Sequence, residues 1–436
     1  MEENKNYHTP IRAVIIGAIG SILITASSVY VALRVGAVPW PTVFATILSV
    51  IILRLIFRKT TVEEINIAQT GMTAGAMIGG AIAFTVPALF ISNPEIDPNS
   101  LLTPLLSVGI AGLILGAILT WIWREEFIIR EELPYPIGVA CAETIKVSTD
   151  GKGGLLFTIS AAVAVVFTVL RDKLALIPQA ISSKALAAKN ITFGSVMMPL
   201  ALSIGYMIGP LSTLIIMVAS IISFNVFIPI AVANDLFANY DIADSFRQNV
   251  GLGILVGTGF GILLGFIIRN IKSIFIKLKE KKQETKNTAE KKSKITRALY
   301  IAGVAISYIF MCASGVPLIP SILVIALTYI TTLMAVVITG QSGIDPFEVF
   351  GIIGIIILTL IFPDLTLTEK IMVAAVIAIA SGFAGDTMFD YKAGHILDTN
   401  AKSQLISQVV GGAVGVVVSA AVFILLSKII RIRFGK

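Results

Sequence analysis

Charge is scarce in this sequence. Of 436 residues only 14% are Asp, Glu, Lys or Arg, 56% are hydrophobic, and the mean hydropathy is +0.92. An ordinary soluble domain, in which about a quarter of the residues are charged, is excluded. A polytopic membrane protein is required, because each span takes about 20 mostly apolar residues. Cysteine and histidine are nearly absent. Cys141 and Cys312 sit in separate apolar segments, so no disulfide framework is expected, and His8 and His395 add no clustered ligand set for a transition metal. No cofactor is expected, and a metal cargo would arrive already chelated. The chain also lacks a Gly-x-x-x-x-Gly-Lys-Ser/Thr phosphate loop, which excludes ATP as an energy source within it.

What charge there is clusters beside apolar runs. The net charge is +7, and between Arg269 and Arg297 eleven Lys or Arg face three Glu, the excess that cytoplasmic loops carry. This stretch reads as a solvated, partly disordered linker rather than a nucleic-acid site. It divides the chain into an N-terminal membrane half (1–268), a linker (269–297) and a C-terminal membrane half (298–436). Spans read at about 11–33, 41–57, 68–92, 101–123, 154–171, 248–269, 298–315, 317–339, 346–362, 369–389 and 404–427, with two short or broken ones within 195–232. The first run is too long for a signal-peptide core and reads as a retained span. Pro134 and Pro136 precede an apolar piece too short to cross, which suggests a re-entrant helix. The expected fold is all-α: about 12–14 transmembrane helices in two repeated halves with broken or re-entrant helices. A weak internal match supports the repeat: Pro39-Trp40-Pro41 followed by Gln69-Thr70-Gly71, against Pro317-Leu318-Ile319-Pro320 followed by Gln341-Ser342-Gly343. Five crossings after the linker would leave the basic tail, Lys428 to Lys436, outside. Either one segment re-enters or the charge rule fails there.

One helix is amphipathic in an unusual sense. From Glu63 to Gly80, Asn66, Gln69, Thr70 and Thr73 share one face while Gly71, Gly75 and Gly79 line the opposite one. The glycine ridge permits close helix approach, and the polar face can line a substrate path or an interhelical network. Gly253, Gly257, Gly261 and Gly265 form a second stripe, read as a packing face. Ionisable groups inside spans are functional candidates by default. Asp386 and Asp390 lie one turn apart on one face and form the best proton-coupling pair, the plainer alternative being a helix-end cluster paired with Lys392. Glu143 lies in the re-entrant piece or at its rim. Asp345 and Glu348 could be simple helix N-terminal acids. Tyr206, between glycines, is a cavity or core-packing residue, and Asp235, Asp241, Asp244 and Arg247 read as a solvated loop.

Three motifs carry a family resemblance. Asn66-Ile67-Ala68-Gln69-Thr70-Gly71, Glu132-Leu133-Pro134-Tyr135-Pro136 running into Gly138-Val139-Ala140-Cys141-Ala142-Glu143, and Gly385-Asp386-Thr387-Met388-Phe389-Asp390-Tyr391-Lys392-Ala393-Gly394 resemble the oligopeptide transporter family. The resemblance implies a multi-pass carrier in the cell membrane, built by duplication, that moves small peptides or chelated iron with protons. It supports Asn66, Gln69, Glu143, Asp386, Asp390 and Lys392 as pathway positions. Together with the polar residues above, the expected substrate contacts are Asn66, Gln69, Thr70, Thr73, Tyr206 and Gln341; the expected proton groups are Glu143, Asp386, Asp390 and Lys392. The chain is shorter than eukaryotic members and lacks the Asn-Pro-Gly signature of their peptide branch, so the yellow-stripe-like metal-chelate carriers stay open. Lipid, substrate and protons are the expected partners, nucleic acid is not, and an oligomer is allowed. A non-transport alternative, an intramembrane aspartyl protease, would use Tyr240-Asp241, Gly385-Asp386 and Pro87-Ala88-Leu89, although the last precedes rather than follows the aspartates.

Overall fold

The structure is a computed structural model that describes residues 9–35, 41–57, 59–149, 151–187, 191, 193–197, 202, 205–206, 209–284 and 290–434. Its described helices are α1 (Ile11–Val35), α2 (Pro41–Ile56), α3 (Val62–Thr85), α4 (Pro87–Ser92), α5 (Leu102–Arg124), α6 (Pro136–Thr149), α7 (Gly151–Asp172), α8 (Lys184–Ala187), α9 (Pro210–Ser220), α10 (Ile228–Ala233), α11 (Tyr240–Glu284), α12 (Glu290–Ala313), α13 (Leu318–Ser342), α14 (Phe347–Ile361), α15 (Leu367–Ile396) and α16 (Ala401–Phe434). Strand β1 (Ala180–Ser182) pairs antiparallel with β2 (Gly194–Val196) beside α8. The protein is thus an all-α, multi-pass membrane protein. Among the described residues seven helical stretches are long and apolar enough to cross a membrane, and three shorter apolar helices, Pro41–Ile56, Ala298–Ala313 and Phe347–Ile361, accompany them.

Residues 1–146 and 259–436 form one compact unit, and residues 147–258 a second. In the second, Phe227, Phe237 and Phe246 stack together, and Arg247 pairs with Asp244 at 2.7 Å while covering Phe224, so part of the expected solvated loop is the ordered start of α11. Of the basic stretch 269–297, residues 269–284 continue α11 and residues 290–297 open α12, while 285–289 lie outside the described residues. The second glycine stripe makes no close contact at three of its four positions among the described residues. A Cβ added at Gly253, Gly257 or Gly261 would meet nothing within 4 Å.

The first unit is built around α3 and α15. Both open with a capping box, which satisfies amides that a helix start otherwise leaves bare. Thr61 accepts from the Glu64 amide at 3.2 Å and Glu64 accepts from the Thr61 amide at 3.0 Å; Thr366 and Glu369 repeat this at 3.3 and 2.6 Å. Because Thr366 is exposed and packs little else, Thr366→Ala should cost about 1 kcal/mol, seen as a lower denaturation midpoint that Thr366→Ser restores. An unchanged midpoint would show that α15 is held by packing alone.

The glycine ridge of α3 works as the sequence suggested. Gly71, Gly75 and Gly79 face Gly17, Ser21 with Thr25, and Val29 of α1, and also Gly411, Gly415 and Ser419 of α16. Both sets ascend together, so α1 and α16 run parallel to α3. Helix α15 runs antiparallel to α3, because Gln69 meets Asp390 while Met77 meets Gly382. The C-terminal tail therefore leaves the bundle at the end opposite the start of α1. Helix α15 is continuous to Ile396, so the chain does not re-enter between Asp386 and Ile396.

Two chain breaks meet inside this unit. Helix α5 widens into a π-turn at Glu125–Arg130, and Glu132, ahead of Pro134, and Tyr135, between Pro134 and Pro136, then take left-handed backbone (φ 49° and 41°). Helix α6 starts directly after this break, at Pro136, so the chain is interrupted at the prolines as expected. Opposite it, α13 ends at Gly343 (φ 76°), a left-handed cap that glycine adopts without penalty. The breaks interlock: the Tyr135 amide donates to Gly340 O at 2.9 Å, its hydroxyl to Val336 O at 3.0 Å, and Gly343 faces Pro136. The proposed sequence repeat does not map onto equivalent places, since Gln69 is buried inside α3 while Gln341 is exposed at the end of α13.

Candidate functional site

A closed polar network joins α3, α15 and α16. Asp390 accepts from Gln69 Nε2 on one carboxylate oxygen and from Thr73 Oγ1 on the other, the latter at 2.6 Å. Gln404 Nε2 donates to the Asp390 carbonyl at 2.8 Å, to Asn66 Oδ1 at 3.1 Å and to Thr70 Oγ1 at 3.2 Å, and Asn66 Nδ2 donates to Gln69 Oε1 at 3.0 Å. The amides form a directed chain, Gln404 to Asn66 to Gln69 to Asp390. Its direction is fixed by the last member, because an ionised carboxylate can only accept. One turn earlier on α15, Asp386 accepts from Thr42 Oγ1 of α2 at 2.6 Å.

Every described donor to the two carboxyl groups is neutral. No described ion pair includes Asp386 or Asp390, and Lys392, half-buried and two residues beyond Asp390, pairs with neither among the described residues. The helix-end cluster held by Lys392 is therefore not what the chain builds: both aspartates are interior to a continuous helix, at 4% and 1% exposure. Asn66, Gln69, Thr70 and Thr73 have no exposed surface at all, so the polar face of α3 forms the network alternative and not an open cavity wall.

The remaining sequence candidates lie elsewhere. Glu143 faces outward on α6, exposed and paired with Lys146 at 3.0 Å, because Cys141, Ala142 and Ile145 take the buried side of that short helix. Tyr206 is 90% exposed, and Gln341 is exposed. Asp241 is exposed at the start of α11 and Pro87-Ala88-Leu89 opens a six-residue helix, so neither supplies the buried partner that an aspartyl protease needs beside Asp386. Two contributors escaped the sequence reading. Thr42 gave no signal beyond its place after Pro41; Gln404, with Gln408 one turn on, is an amide pair in an apolar run and could have been noticed. A cavity of about 480 Å³ lined by Arg54, Phe57, Lys59 and Thr60 sits at the α2–α3 turn, not at the network. Among the described residues no three His, Cys, Asp or Glu groups converge to hold a metal ion.

The family model described as OPT oligopeptide transporter protein matches residues 9–433. A Haemophilus influenzae protein named "Putative oligopeptide transporter" is 23% identical over 447 residues, covering 91% of this chain and 69% of the relative.

Proposed function

As the chain belongs to the oligopeptide transporter family, we propose that it is a secondary active carrier that imports small peptides or related zwitterions, driven by protons through Asp390 and Asp386. The observation that carries this reading is the pair of buried carboxyl groups held by neutral donors alone. With no cation to neutralise them, gaining or losing one proton changes the charge of the bundle interior by a full unit.

The network can accommodate either state. Thr73 Oγ1 lies 2.6 Å from Asp390 Oδ2 and 3.0 Å from the Thr70 carbonyl. When Asp390 is ionised, the hydroxyl donates to it. When Asp390 carries a proton, it donates to Thr73, whose own hydrogen turns to Thr70, and Gln69 still donates to the other oxygen. No polar group is stranded. What changes is strength, because hydrogen bonds to a charged group contribute roughly 1.5–3 kcal/mol and neutral ones about 0.5–1.5. Protonation thus loosens α3 from α15, and opening along that seam exposes the amide and hydroxyl face of α3 to substrate.

The test is uptake of labelled di- to tetrapeptides into proteoliposomes under an imposed pH gradient, with protonophore controls. We expect saturable accumulation that collapses with the gradient and falls at least about tenfold in Asp386→Asn. No gradient-driven uptake, or an Asp386→Asn protein equal to wild type, would sink the reading. Metal chelates are the second substrate class, favoured by the missing Asn-Pro-Gly signature. The same vesicles loaded with iron chelates distinguish the two.

A further inference from the structure

The turn that joins α2 to α3 encloses the cavity of about 480 Å³ lined by Arg54, Phe57, Lys59 and Thr60. That volume lies within the roughly 300–1,000 Å³ of ordinary small-ligand sites. Its walls are tied to the bundle. Thr60 Oγ1 donates to Leu53 O at 3.4 Å, Arg12 Nη2 donates to Lys59 O at 3.4 Å, and the Arg12 guanidinium covers the Phe57 ring, 4.9 Å from its centroid.

Two of the four lining residues are cations and none is acidic. The acids at the start of α3 are engaged elsewhere: Glu64 accepts from Arg12 and from the Thr61 amide, and Glu63 accepts from the Asn400 amide at 3.4 Å. Among the described residues neither Arg54 nor Lys59 enters an ion pair, and both are exposed to the cavity mouth. A guanidinium fork matches two phosphate oxygens at once, and an ammonium adds a point charge.

The surface beside the cavity selects the source of that phosphate. Along α2, Phe44, Leu48, Ile51 and Leu55 recur at helical spacing, whereas Thr42, Ala45, Ser49 and Leu53 on the other face are buried. Phe44, Ile51 and Leu55 are exposed, the last at 81%. In a membrane protein such a stripe faces acyl chains. From Phe44 to Leu55 it rises about 17 Å (11 residues at about 1.5 Å), close to the ~15 Å apolar depth of one leaflet. Arg54 and Lys59 stand at its end, where the headgroup of a lipid lying along the stripe would sit. A soluble phosphate would use the cations but not the stripe.

We propose that the α2–α3 turn binds one anionic phospholipid, with its phosphate held by Arg54 and Lys59 and an acyl chain laid along Phe44, Ile51 and Leu55. The site does not depend on what the protein carries, so its test needs no transport substrate.

The purified full chain, in a neutral detergent, is titrated with phosphatidylglycerol, phosphatidylcholine or inorganic phosphate while its thermal unfolding midpoint is followed, and native mass spectrometry counts the lipid retained. Phosphatidylglycerol should raise the midpoint saturably by a few degrees, because a ligand that binds only the folded state stabilises it. Phosphatidylcholine, whose choline cation is repelled by Arg54 and Lys59, and inorganic phosphate, which has no chain for the stripe, should not. Arg54→Gln and Lys59→Gln should each weaken the apparent affinity at least about tenfold and lower the count by one phosphatidylglycerol. Leu55→Ser should weaken it as well. Arg34→Gln, which alters an exposed arginine in the last turn of α1 that does not line the cavity, should leave both readings unchanged. If Arg54→Gln fails to fold, Lys59→Gln decides. An equal response to phosphatidylcholine, a full shift with inorganic phosphate, wild-type affinity in Arg54→Gln or Lys59→Gln, or an equal loss in Arg34→Gln would each overturn the proposal.

Discussion

Asp390→Asn should abolish pH-gradient-driven accumulation, by on the order of 100-fold, while leaving the protein folded and able to exchange peptide across the vesicle membrane with no gradient. The reason lies in the geometry around the side chain. Asparagine can accept from Gln69 with its oxygen and donate to Thr73 with its amide, and Thr73 can then donate to the Thr70 carbonyl 3.0 Å away. The variant reproduces the hydrogen bonding of the protonated state with no group stranded, but it cannot release a proton. Accumulation needs that release; exchange of substrate for substrate does not. Both activities should therefore separate in one variant. If accumulation persists at the wild-type rate, Asp390 is a structural member of the network and the proton path lies elsewhere. If exchange is lost as well, Asp390 holds substrate directly.

Gly411→Val is expected to prevent recovery of a monodisperse protein, or to lower its melting temperature drastically. A Cβ at Gly411 would fall onto the carbonyl oxygen of Gly71, and one at Gly415 onto the Cα of Gly75. These are backbone atoms of a helix locked on its other side by α1, so they cannot yield as a flexible side chain would. Overpacking in a responsive core costs about 1–3 kcal/mol, and this position should exceed that range. The matching control is Gly257→Ala, where an added methyl meets nothing within 4 Å and alanine is the better helix former by about 1 kcal/mol. One glycine should tolerate no side chain and the other should be neutral or stabilised by it. Size-exclusion profiles and melting curves of the two variants read this difference directly, and a Gly411→Val protein that melts within a few degrees of wild type would refute the close α3–α16 contact.

Those two glycines also show how far sequence reasoning reached. Both stripes have the same four-residue spacing, and periodicity cannot tell a ridge that meets a neighbour from one that does not. In α3 the ridge was recognisable because a polar face lay opposite, which left the glycines as the only surface for close packing. In α11 no such constraint existed, and among the described residues Gly253, Gly257 and Gly261 meet no neighbour. Glu143 shows a related limit: its place after a chain break was legible from the prolines, but which side of α6 faces inward was not, and Cys141, Ala142 and Ile145 occupy that side.

Sequence alone was enough to establish an all-α, multi-pass membrane protein and to single out Asp386, Asp390 and the amide face of α3 as candidates. Those conclusions rest on local terms, namely apolar length, helical period and the cost of an ionisable group in lipid, and each is complete within about 20 residues. The tertiary structure decided which groups meet. Gln404 and Thr42 join the aspartates from distant segments, Lys392 stays out, and the breaks at Tyr135 and Gly343 lock together beside Gly385. It also decided that Asp345 has no partner. Those outcomes depend on helix direction and rotation within the bundle, which are set by contacts hundreds of residues apart that no local pattern encodes.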